Sequence, residues 1–134
     1  MSDLGLVQAF ARYGAKLKNP QWSVCAVAAN GDLVVSLWEH HRVKSAAGTL
    51  EFSDRLDRWS GPGNNEFRQA LKDALEANRP VRLVIAHAKD PAYVESGADA
   101  SKMKKTFSVR PELIGKVVSV DDERYVISFV KELK

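Results

Sequence analysis

Two clusters in this chain hold side chains able to do chemistry, and the chemistries differ. The adjacent pair His40-His41 offers imidazole to a proton transfer or to a metal ion. Arg55, Arg58 and Trp59 precede Gly61-Pro62-Gly63-Asn64-Asn65, a turn whose glycines let backbone N–H groups approach an anion. Arg58 and Trp59 beside such a turn suit a stacked base or sugar with its phosphate on the backbone. Further cations lie elsewhere. Arg42 and Lys44 follow the histidines and Trp38. Lys102, Lys104, Lys105 and Arg110 lie between residues 102 and 116, where five cations face Glu112 alone. That local excess suits a phosphate backbone.

Other chemistries lack their patterns. Nothing resembling G-K-[ST] follows the glycines and no GxGxxG is present, so a nucleoside triphosphate site is not indicated. Trp59-Ser60-Gly61 is not a nucleophile elbow. Neighbouring residues of an extended chain point to opposite faces, so His40 and His41, placed just beyond a strand, are not expected to share one metal. One of them could still work with Glu39, Glu51 or Asp54 and with His87. Glu132-Leu133-Lys134 is the nearest match to a nuclease Glu-x-Lys, and it lies at the chain end.

The elements that must position these groups follow from periodicity. Phe67, Ala70, Leu71, Ala74 and Leu75 share one face of a helix over about 65–78, with Asn64 or Asn65 as its cap and Pro80 beyond its end. Val7, Phe10, Ala11, Gly14 and Leu17 mark a first helix over about 3–18, stopped by Asn19-Pro20. Strands are expected over 22–29 and 33–38, joined at Asn30-Gly31-Asp32. Both are apolar on both faces and so are expected inside the sheet. Residues 42–44 and 49–52 read as two short strands or else as a structured loop, with a helical turn within 54–59. Val81 to Ala86 reads as a core strand, and 87–105 as a long aperiodic loop. A strand at 106–109, a helical turn at 111–114 closed by Gly115, and a hairpin of 116–120 with 124–130 complete the chain.

The order predicts an α+β domain: a mainly antiparallel, curled or barrel-like sheet of about six to eight strands with two principal helices. At 134 residues, 45% apolar and 28% charged, the chain suits one folded domain. The net charge of +3 and pI near 9.1 permit a nucleic-acid partner without demanding one. No apolar run reaches the ~20 residues of a membrane span, and Met1 to Gly5 lack a signal peptide's pattern. The single Cys25, inside a strand, is expected buried and inert in a reducing cytoplasm.

A small, basic, β-rich module with helices at its rim resembles, in architecture alone, the barrel-like RNA- and modified-base-binding modules of the PUA group. The residues themselves favour a binding module without catalysis or cofactor, taking nucleic acid or a nucleotide-like, phosphate-bearing anion. The alternatives are a metal-assisted hydrolase or nuclease built on His40, His41 and His87 with carboxylates, and a protein-interaction or homo-oligomeric domain.

Overall fold

In the computed structural model, which describes residues 5–19, 22–43, 47–96 and 105–131, the alternation along strand β2 (Leu33–Trp38) sets the layering. Leu33, Val35 and Leu37 enter one core while Val34 enters another, because successive side chains leave a strand on opposite faces. Strand β5 (Val81–Ala88) lies parallel to β2 and splits the same way, with Leu83 and Ile85 on one side and Val84 on the other. This is the sheet's one parallel pair among the described residues. Helix α1 (Leu6–Ala11) covers one face through Ala9 and Phe10, and helix α2 (Pro62–Ala77) covers the other through Phe67, Leu71 and Ala74.

The remaining strands are β1 (Cys25–Val27), β3 (Arg42–Val43), β4 (Thr49–Arg55), β6 (Lys105–Val109), β7 (Leu113–Val120) and β8 (Arg124–Lys131). A short helix α3 (Pro91–Glu95) follows β5. The sheet order is β1-β2-β5-β7-β8-β4-β3, with β6 also paired to β5. The α+β sheet is curled, as the pattern predicts, yet it does not close into a barrel. Its two ends nevertheless come together. The chain leaves β2, second from one end, and reaches β3, at the other end, through a single 3-10 turn, Glu39–His41.

Several expected elements shift, each for a local reason. The first helix stops at Ala11, because Gly14 takes a left-handed backbone (φ 73°) and the Ala15 N–H returns to the Phe10 carbonyl. Helix α2 starts three residues earlier than its apolar period shows. Gly61 is the cap, Pro62 fills a position that needs no N–H, and Asn64 lies inside the first turn, so neither Asn64 nor Asn65 caps it. Leu75 is exposed, while Gly63 and Asn64 extend the buried face. Strand β1 is an edge rather than an interior strand, pairing only with β2. Residues 111–114 form no helical turn: β7 begins at Leu113, and Gly115 sits inside it because a Cβ there would strike the Phe129 ring. The hairpins at Asn30-Gly31-Asp32 and at 121–123, and the turn at Leu56–Arg58, form where expected.

Candidate functional site

The seam formed by the 3-10 turn, β3, the end of β4 and α3 holds a cavity of about 260 Å³. His40 and His41 reach it from the 3-10 turn, Asp54 and Arg55 from the end of β4, and Arg58 from the turn beyond. Arg42 comes from β3, Arg124 from the start of β8, and Glu95 from the last position of α3. Helix α3 is held in place by three contacts. Asp90 caps it through the Tyr93 N–H, Val94 is buried, and Arg58 Nη1 donates to the Val94 carbonyl at 2.9 Å.

The polar groups form a chain. Arg58 grips Asp54 through Nη2 at 2.8 Å and Nε at 3.1 Å, and both side chains are nearly buried. Asp54 Oδ2 lies 3.4 Å from His41 Nδ1, a separation and alignment that make no hydrogen bond. On the other side of the ring, His41 Nε2 lies 2.6 Å from Glu95 Oε2. His40 Nε2 reaches the same oxygen at 3.1 Å, and its ring lies against Trp38 with centroids 5.9 Å apart. Burial lowers the His41 pKa, with the Glu95 hydrogen bond and the Asp54 charge opposing it. Partial burial acts to raise the Glu95 pKa, but hydrogen bonds from His41 and His40 outweigh it and hold the carboxyl below its ordinary range.

The strand argument that separates His40 from His41 is overturned here. The pair lies on a 3-10 turn rather than on an extended segment, and both rings aim at one carboxylate oxygen. His87 does not join them: it is exposed, with Nε2 2.9 Å from Ser108 Oγ.

Of the cations singled out from sequence, Arg42, Arg55 and Arg58 line this cavity. The glycine-rich turn does not. Trp59 is half-buried against the α2 core, and Gly63 lies against the Trp22 carbonyl, where a Cβ would collide. Asn64 Nδ2 donates to the Leu56 carbonyl and Asn64 Oδ1 accepts from Arg68. Gly61 turns the chain, and Asn65 faces a separate, broader depression of about 680 Å³ between α2 and β1. Arg110 pairs with Glu112 at 2.7 Å, beside Tyr13 and α1. Lys105 opens β6 opposite Ala88. Lys44, Lys102 and Lys104 lie outside the described residues.

Two charged cavity residues escape the sequence reading. Glu95 falls in what reads as an aperiodic loop, although Asp90-Pro91 is a helix-start pair that could have revealed it. Arg124 opens a strand of a locally acidic stretch, and nothing in sequence sets it opposite Arg55.

Fold and site together define an α+β domain with a polar, arginine-rimmed cavity where the ends of an open, curled sheet meet. Compared with known proteins, the chain matches no protein-family model, no curated protein and no solved structure. Among the described residues no helix is long and apolar enough to cross a membrane.

Proposed function

We infer that the domain is a binding module for a phosphate-bearing anion, taken into the cavity at the seam. The observation that carries this reading is the gathering of four arginines, Arg42, Arg55, Arg58 and Arg124, against two carboxylates, Asp54 and Glu95, around one small volume. Arg58 is matched by Asp54, Arg55 by Asp57 at 2.9 Å and Arg42 by Glu39 at 3.6 Å. Among the described residues no carboxylate lies within ion-pairing distance of Arg124. Arg55 and Arg124 also stand directly opposite across β4 and β8. Like charges so placed repel, and an anion between them reverses the sign of that interaction. Arginine suits the task because its planar fork meets two phosphate oxygens at once.

Size narrows the ligand. A cavity of about 260 Å³ lies below the ~300–1,000 Å³ of typical small-molecule pockets. It has room for a phosphate and part of what bears it. A phosphomonoester, a mononucleotide or one backbone phosphate of a nucleic-acid strand offers the same group. Calorimetric titrations with inorganic phosphate, a mononucleotide, and single- and double-stranded oligonucleotides at several salt concentrations separate these sources. The double variant Arg42→Gln/Arg124→Gln should bind at least roughly tenfold more weakly, given about 1.5–3 kcal/mol for each hydrogen bond to a charged group. Tight, salt-steep binding by an oligonucleotide alone identifies a strand as the ligand. No binding by any probe at low salt ends the proposal.

A further inference from the structure

The placement of His41 is difficult to satisfy with protein atoms alone. Its side chain is 6% exposed and lies between two carboxylates, Glu95 at Nε2 and Asp54 at Nδ1. A neutral imidazole has one N–H and one lone pair. With the proton on Nε2, the Nδ1 lone pair faces Asp54. With the proton on Nδ1, the Nε2 lone pair faces Glu95 Oε2 at 2.6 Å. Among the described residues, Nδ1 is the one buried side-chain polar atom with no hydrogen-bond partner. His40 adds a second ring nitrogen aimed at the same oxygen, and the three donor atoms lie within 4.8 Å of one another.

A cation at their meeting point removes the conflict. The Nδ1 proton then faces Asp54 Oδ2, 3.4 Å away, a small turn of the ring completes that hydrogen bond, and both Nε2 lone pairs and the Glu95 oxygen face the ion. We propose that His40, His41 and Glu95 form a zinc site, with Asp54, clamped by Arg58, orienting His41 from behind. Two imidazoles and one carboxylate suit zinc or a neighbouring first-row ion, whereas magnesium and calcium take oxygen ligands. A carboxylate behind a ligating histidine is the usual means of fixing its tautomer. Ligands about 2.0–2.2 Å from zinc stand further apart than the 2.6 Å between His41 and Glu95. The shift falls to Glu95, which is 48% exposed on the last residue of a five-residue helix. Three protein ligands leave a coordination position toward the cavity, as in zinc sites that keep one place for water or substrate. The site needs no phosphate, so it stands independently of the anion reading.

The test is calorimetric titration of the metal-stripped full chain with Zn²⁺ in phosphate-free buffer. A parallel titration with Co²⁺ follows the visible absorption of a nitrogen- and oxygen-ligated ion. One zinc per chain is expected. His40→Ala and Glu95→Gln each change a partly exposed side chain and should weaken zinc binding by at least roughly tenfold, with the circular dichroism unchanged. Asp54→Asn/Arg58→Met, which leaves no charge unpaired at that corner, should weaken it by about 10–100-fold. Glu66→Gln, on α2 away from the cavity, should leave it unaltered. No stoichiometric zinc in the wild type, or equal affinity in the double variant His40→Ala/Glu95→Gln, overturns the proposal. Zinc without phosphate binding, or the reverse, tells the two readings apart.

Discussion

Arg58 spends its charge inside the protein. Three contacts of 2.8–3.3 Å join it to Asp54, a fourth goes to the Val94 carbonyl, and its Nε stands 4.0 Å from Glu95 Oε2. Its side chain is 12% exposed and that of Asp54 is 9%. Truncating such a pair on one side strands the other charge away from water, which costs about 3–5 kcal/mol. Arg58→Ala should therefore lower the urea midpoint by an amount of that order, and its loss of ligand would follow from a disordered site. Asp54→Leu/Arg58→Met removes both charges and should cost clearly less, since no ion is then left unpaired. Equal destabilisation by the single and double variants would show that the ion pair is not what holds this corner.

At the scale of elements, the turn before α2 is organised for packing. Gly63 lies on the Trp22 carbonyl with the Trp59 ring beside it, so an added Cβ meets backbone that has little freedom to retreat. Gly63→Ala should destabilise by about 1–3 kcal/mol, the usual cost of overpacking, and thermal unfolding would show it. An unchanged midpoint would mean that the helix start sits loosely on 22–23. The same contact explains what the sequence could and could not reveal. Strands β2 and β5 are legible as short apolar runs and β8 by its alternation, whereas β4 and β7 are legible only in part, at 49–52 and 116–120. Helix α2 was legible from Phe67 onward, but Gly61-Pro62-Gly63 reads as an exposed turn until Trp22, some forty residues away in sequence, is placed on it. The site was half legible for a like reason. Arg42, Arg55 and Arg58 are conspicuous as charges, and Asp54 as a carboxylate near them. Glu95 and Arg124 enter only through the return of β5 into α3 and the register that sets Arg124 opposite Arg55. The histidines read as a strand end because three residues of 3-10 turn carry no periodicity that separates them from one.

At the scale of the whole molecule, the seam is built of the smallest pieces in an otherwise long-stranded sheet. β3 has two residues, the turn before it three and α3 five, whereas β5, β7 and β8 have eight each. The long strands share the main core with α2, and β2 and β5 are covered on their second face by α1. Within residues 39–43 and 91–96, the segments that close the seam, His41 and Val94 are the only buried residues. Opening it exposes little apolar surface, so its local free energy of opening should fall well below that of global unfolding. Hydrogen exchange in the metal-free protein should then show the amides of residues 39–43 and 92–96 exchanging long before those of β5 and β8. Zinc ligands drawn from both sides of the gap, the 3-10 turn and α3, would close it. At zinc about a hundredfold over its dissociation constant the stabilisation is about 2.7 kcal/mol, roughly a hundredfold slowing at those amides, while the protection of β8 changes only as global stability does. Seam amides as protected as β8 without metal would mean that the ends of the sheet are already locked, and that the short elements are no looser than the strands they join.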